Sequence, residues 1–298
     1  MRSLVSMSTL IAKSVPSVSL LTALLLLTAR GAVAQTIAFT GTYTQNFDSM
    51  GTTGTSAPTG WSVESEAGSH DTFSYWTPTD GYSTVLPNLS AGAMTAEPTL
   101  TAATPTTQKG LGGYNFGTSS DRSLGSSPSG NAATIVVAQY INQSGGNITD
   151  LSLSYDIRRF TTTTTNNSTY TGGPYSGVEE NPGYQLFYSL DNGTTWTNVS
   201  SLNPSLTGGS VTVPNSIGTT HVSDSDIALT SQWTAGSKLE LAWLDDNAQS
   251  PSPDQLLGLD NVAVGLTAVP EPSSVAAILG ASSLLFSLAR RRRVAAKE

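Results

Sequence analysis

The residues best placed to do chemistry are acidic and lie late in the chain. Asp245, Asp246, Asn247, Asp254, Asp260 and Asn261 follow one another closely, with Asp224 and Asp226 just upstream. Hard cations such as calcium take oxygen ligands, and neighbouring loop carboxylates can supply them, so Asp245, Asp246 and Asp254 are the candidate calcium ligands. The glycine and terminal glutamate of an EF-hand loop are missing, however, and Asp and Asn side chains also cap turns by bonding nearby backbone. If calcium binds, it braces loops rather than catalyses. Asp260 is set in an otherwise apolar run, where a carboxylate is costly unless paired. Arg122, Arg158 and Arg159 are its candidate partners.

Other reaction chemistry is thinly represented. The chain has two histidines, His70 and His221, and no cysteine, which excludes a thiol nucleophile, a zinc–thiolate centre and a disulfide framework. Neither a nucleophile elbow, a zinc-protease helix, a phosphate loop nor a dinucleotide fingerprint occurs. Glycoside hydrolysis needs only two carboxylates at the right separation, and no particular pair is singled out here. Tyr75, Trp76, Tyr170 and Tyr175 are candidate glycan contacts, since aromatic rings offer sugars a flat apolar face with a polar edge. The expectation is therefore a non-catalytic protein without a resident cofactor. A secreted glycan-active enzyme and a structural adhesin or spacer are the alternatives.

The segments that must position these residues alternate with a period of two. Leu151 to Arg158 is strictly apolar then polar; Leu239, Leu241 and Trp243 form another such face, and Val262, Val264 and Leu266 a further one. Tyr184, Leu186, Tyr188 and Leu190 lead into Asp191-Asn192-Gly193 and then Thr194 to Val199, which reads as a hairpin with Asn-Gly turn chemistry. Ala133 to Ile141 is more continuously apolar and reads as a central strand. Ile37 to Phe47, Trp61 to Glu64, Thr72 to Trp76 and Tyr114 to Phe116 are strand candidates between Gly, Pro, Ser and Thr clusters. Thr161 to Gly183 reads as a long polar loop, either a threonine-rich flap or a binding segment. This pattern predicts an all-β fold, an antiparallel β-sandwich of jelly-roll form.

The two ends carry a different message. Arg2 and Lys13 precede an apolar stretch from Val18 to Leu27, and Ala32-Val33-Ala34 supplies small residues before Gln35. Residues 1–34 thus read as a secretory signal peptide with a helical apolar core. At the other end, Val269-Pro270-Glu271-Pro272 is followed by an apolar run from Val275 to Ala289 and by Arg290, Arg291, Arg292 and Arg293. The prolines hold the motif extended, the apolar run suits a short membrane helix, and four arginines stay on the cytoplasmic side. Together these three parts resemble the PEP-CTERM sorting signal of bacterial envelope proteins. The resemblance implies recognition by an exosortase after export through the secretion machinery. It also implies a membrane contact through the C-terminal helix, transient or permanent, and a final place at the cell surface or in extracellular polysaccharide.

Between the ends, residues 35–268 form the predicted β-sandwich domain, and 269–298 the sorting tail. This body has five Lys and Arg against 19 Asp and Glu, a formal charge of −14. Such a field disfavours nucleic acid and favours cations, basic partners or neutral glycans. Asn46-Phe47-Asp48-Ser49-Met50, Asn115-Phe116-Gly117, Asp121-Arg122-Ser123-Leu124-Gly125, Tyr188 to Trp196 and Leu259-Asp260-Asn261-Val262 resemble, in this order, a domain common among PEP-CTERM proteins. That resemblance implies a lectin-like or carbohydrate-binding jelly roll.

Overall fold

The computed structural model describes residues 35–65, 95–96, 99–103, 110–128, 133–161, 169–170, 178–179, 184–203, 217–245 and 256–267. The fold is all-β. Its strands are β1 (Ile37–Phe39), β2 (Thr42–Gln45), β3 (Trp61–Ser65), β4 (Thr95–Ala96), β5 (Thr101–Ala103), β6 (Gly112–Gly117), β7 (Arg122–Ser127) and β8 (Thr134–Asn142). They continue with β9 (Ile148–Arg159), β10 (Thr169–Tyr170), β11 (Val178–Glu179), β12 (Gln185–Ser189), β13 (Thr197–Asn198), β14 (Gly218–Trp233), β15 (Lys238–Asp245) and β16 (Leu257–Leu266).

Two seven-stranded sheets result. The first runs β13-β12-β15-β8-β3-β4 with β1 also on β8, and the second runs β14-β9-β16-β7-β6-β5 with β2 also on β16. Inward residues of both sheets belong to one apolar core, from Val63, Val136, Leu186 and Leu241 on one side to Leu153, Tyr155, Ile157 and Val264 on the other. At its centre Trp61 and Trp243 stack at 5.5 Å between centroids, with Phe47 edge-on to Trp61 at 4.9 Å and Tyr155 edge-on to Trp243 at 5.8 Å. From Leu151 to Arg158 the period-two pattern of β9 is reproduced residue by residue, its odd positions buried and its even positions half-buried. β8 and β15 lose that alternation because the outer face of the first sheet is covered too. Ala133, Ile135, Val137, Phe187, Ala242 and Leu244 form a second apolar cluster there, with Trp196 packed against it.

Four details correct the sequence reading. The sheets are mixed rather than antiparallel, because β1 pairs parallel with β8 and β5 parallel with β6. Ile37 to Phe47 holds two strands in two sheets: the chain crosses between them at Thr40-Gly41, where Gly41 takes a φ of +123° that a side chain would strain. Inside the segment Thr161 to Gly183, β10 and β11 pair antiparallel as a small sheet of their own. The sixteen-residue edge strand β14 has no counterpart among the sequence expectations. Its buried positions, Val222, Ile227 and Trp233, are spaced by five and six, since the register against β9 slips after Asp224 and again after Ala228. Bulges of this kind break the two-residue period by which a strand is read.

The hairpin at Asp191 forms as expected, although its loop is longer than a two-residue turn. Asn192 and Gly193 both have positive φ, 59° and 78°. Asp191 holds the loop closed by accepting from Thr195 N and Thr195 Oγ1 at 2.8 and 2.7 Å and from Ser189 Oγ at 2.8 Å. These bonds lower the Asp191 carboxyl below its ordinary range.

Candidate functional site

A β-bulge sets the geometry of the candidate site. One edge of β16 pairs with β7 through Leu259 and then, from Val262, with β2. Asp260 and Asn261 fill the junction between the two partners, and the register against β9 slips at the same point. Asn261 takes φ +47°, one of the few non-glycine residues in the left-handed region, as bulged residues do when a strand re-aims its side chains.

Across the outer face of the second sheet, His221 of β14, Asp156 of β9 and Asp260 of β16 stand in one row. Asp156 Oδ1 lies 2.7 Å from His221 Nδ1, and Asp156 Oδ2 accepts from Asn261 Nδ2 at 2.8 Å. Two residues along β9, Arg158 Nη1 donates to Asp121 Oδ1 at 2.6 Å and to Asp260 Oδ2 at 3.0 Å. The same guanidinium lies 5.4 Å from the Phe160 ring centroid, a cation–π distance. Phe160 in turn sits 5.3 Å from Phe116. Asp260 is the buried member of the set; burial raises its carboxyl to about 6, against the lowering effects of Asn261 N and Arg158.

These pairings fix side chains whose outer atoms remain turned to solvent. His221 is 60 % and Asp121 55 % exposed at the side chain. Asp156 and His221 share one hydrogen bond while most of the imidazole stays exposed. The row thus offers donors and acceptors beside an aromatic ring, which is hydrogen-bonding recognition chemistry.

Several short motifs of the sequence meet at the neighbouring corner. Arg122, 2 % exposed, donates from Nε to Asn115 Oδ1 at 2.7 Å, from Nη1 to Gly117 O and Thr118 O, and from Nη2 to Asn115 O. Asn115 Nδ2 holds Gly51 O and Gly54 O at 2.9 Å each, and Arg122 N donates to Asp48 Oδ1 at 2.8 Å. Gly117 is required here, since a Cβ would lie 2.0 Å from Asp121 O. Desolvation, and then the Arg158 charge, lowers the Arg122 guanidinium from its ordinary value. Of the three arginines expected as partners of Asp260, Arg158 is the one that pairs, while Arg122 knits backbone together.

The acidic residues grouped in sequence are separated in space. Asp245 is wholly buried between the sheets, where it accepts from Ser126 Oγ, whereas Asp260 faces the other way across the second sheet. Asp246 and Asp254, the other two candidate calcium ligands, lie outside the described residues, and among the described residues no three His, Asp or Glu side chains gather as a metal site. Of the candidate glycan contacts, Tyr170 lies on β10, and Tyr75, Trp76 and Tyr175 lie outside the described residues. So do the sorting motif Val269 to Pro272 and the cluster Arg290 to Arg293. Among the described residues no helix is long and apolar enough to cross a membrane.

A second group, Glu64 and Glu240, occupies the outer face of the first sheet. Glu240 accepts from Gln139 Nε2 at 2.9 Å and lies 3.6 Å from Lys238 Nζ. Burial chiefly, with a smaller push from the Glu240 charge, raises Glu64 to about 7 from 4.5, against the lowering effect of the Ser62 hydroxyl. A carboxyl raised by folding stabilises the fold most below its unfolded value, and that contribution disappears as pH climbs through the folded one. Stability through Glu64 is therefore expected to fall by about 2–3 kcal/mol between pH 4.5 and 7, with Asp260 adding a loss in the same direction between 3.8 and about 6. Thermal melts of wild type and Glu64→Gln across this interval check it, the variant having the flatter profile.

Neither family models nor curated proteins match this chain. The fold and the site together define an all-β protein of two mixed sheets sharing a core, with a pre-set polar row on one outer face.

Proposed function

We propose that this is an exported, non-catalytic protein of the cell surface or extracellular matrix that associates with extracellular polysaccharide through the outer face of its second sheet. The observation that carries the binding part is the row His221, Asp156, Asn261, Asp121 and Arg158 beside Phe160, held in place by bonds of 2.6–3.0 Å before any ligand arrives. Ordered polar groups bind sugar hydroxyls without a further ordering cost. The export part rests on the sequence alone: the signal peptide, the Val269-Pro270-Glu271-Pro272 motif and the arginines that follow it. In this reading the two sheets are a jelly-roll-like lectin scaffold, an exosortase processes the tail, and the body charge of −14 keeps nucleic acid away.

Binding isotherms against the extracellular polysaccharide of the producing cells and a glycan array test the proposal. Saturable binding is expected, weakened about tenfold or more in Asp156→Ala and Asn261→Ala, an effect of the size of one lost charge-assisted hydrogen bond. Self-association with no glycan affinity would indicate a spacer or adhesin instead. Glu64, raised to about 7 mainly by burial and sharing the outer face of the first sheet with Glu240, favours a glycan-active enzyme as the second reading, since that chemistry uses two carboxyl groups of unlike pKa on one face. Polysaccharide turnover abolished by Glu64→Gln would establish it.

A further inference from the structure

The hairpin between β12 and β13 carries chemistry that the polar row does not use. Asn192-Gly193 is the single Asn-Gly pair in the sequence. Asn192 is exposed at the tip of the loop, and its carboxamide has no hydrogen-bond partner among the described residues. Glycine after asparagine leaves the next backbone nitrogen unshielded, because no Cβ stands beside it. That nitrogen can attack Asn192 Cγ. A bond forms between Gly193 N and Cγ, the bond from Cγ to the side-chain nitrogen breaks, and the amide leaves as ammonia, taking the Gly193 N–H proton. Water then opens the resulting cyclic imide at one carbonyl or the other, giving aspartate or isoaspartate.

The fold opposes the first step. Gly193 is buried, and its N–H donates to Ser189 Oγ at 2.8 Å. Ser189 is 1 % exposed and passes its own hydroxyl hydrogen to Asp191 Oδ1 at 2.8 Å. Asp191 also accepts from Thr195 N and Oγ1, and its carbonyl accepts from Thr194 Oγ1 at 2.9 Å. The nucleophilic nitrogen is thus tied to a covered acceptor inside a closed loop, and it must leave Ser189 before it can turn onto its neighbour's side chain.

We infer that Asn192 is a site of spontaneous deamidation gated by Ser189: the residue is preserved while the loop is closed and is converted when the loop opens. The product matters to the fold. Conversion adds a carboxylate next to Asp191, and the isoaspartate route also inserts one more carbon into the backbone of the turn. The β12–β13 ladder has only two residue pairs, Phe187 with Asn198 and Tyr188 with Thr197, with which to absorb that change. Trp196, which packs on the outer apolar cluster of the first sheet, lies between the turn and β13. Conversion therefore loosens Trp196 from that face.

Peptide mapping by mass spectrometry, with an isoaspartate assay, follows the full chain during incubation in buffer and in urea. Conversion at Asn192 is expected to be slower in the folded protein than in urea. Ser189→Ala is expected to accelerate it in buffer by about fivefold to tenfold, the size of effect when one intramolecular hydrogen bond no longer holds the loop closed. Asn192→Gln is expected to remain unconverted at that position. Amide hydrogen exchange at Gly193 in the wild type tests the same gate without a variant, so the proposal stays testable if Ser189→Ala fails to fold; slow exchange is expected. Equal conversion rates in buffer and urea, a folded Ser189→Ala no faster than wild type, or fast exchange at Gly193 would overturn the proposal.

Discussion

Arg122→Met is expected to destabilise the protein by about 3–5 kcal/mol, because four hydrogen bonds donated by one buried cation are lost and their neutral acceptors stay covered. The guanidinium is buried and donates to Asn115 Oδ1 and to the carbonyls of Asn115, Gly117 and Thr118. Methionine fills much of the volume but leaves these acceptors covered and unsatisfied. The damage spreads through Asn115, whose amide ties down Gly51 and Gly54, so the segment after β2 loosens as well. Lysine is a poor replacement, because one ammonium cannot reproduce the fork that reaches Asn115, Gly117 and Thr118 at once. Urea titrations of wild type, Arg122→Met and Arg122→Lys measure this. The expected order is wild type, then lysine, then methionine, with the lysine variant recovering less than half of the loss.

Trp243→Ala is expected to cost a similar amount, about 3–5 kcal/mol, by a different mechanism. Trp243 is fully buried on β15 and meets Trp61 face to face and Tyr155 edge-on. Alanine opens a cavity where the two sheets touch, and neighbouring rings fixed to rigid strands collapse into it only partly. Trp196 is the control, being only partly buried at the rim of the outer cluster, so Trp196→Ala should cost distinctly less. Equal losses in the two variants would contradict the placement of the inter-sheet core.

The contrast between those two residues shows what the sequence made legible. Tryptophans and alternating apolar residues announce a core directly, and β9, β15 and the Asn192-Gly193 hairpin follow from side-chain period and turn chemistry alone. The structural part of Asp260 was also legible, as a carboxylate in an apolar strand that needed an arginine. Which arginine could not be read, because the answer depends on Asp121 and Asp260 arriving from distant parts of the chain onto Arg158. Asp156 and His221 were harder still. Asp156 is one more polar position in an alternating strand, and His221 lies on a strand whose two register slips erase the pattern. The late acidic residues misled for a related reason: nearness in sequence does not survive a sheet boundary that puts Asp245 between the sheets and Asp260, equally buried, on the opposite face of the second one.

Hydroxyl-radical footprinting of the protein with and without saturating polysaccharide from the producing cells tests the central claim most directly. Protection of His221 and Phe160, on the outer face of the second sheet, is the expected result, with Trp196 on the first sheet unchanged. Protection centred on Trp196, or none at either face under saturating conditions, would contradict the assignment of the polar row as the ligand-binding surface.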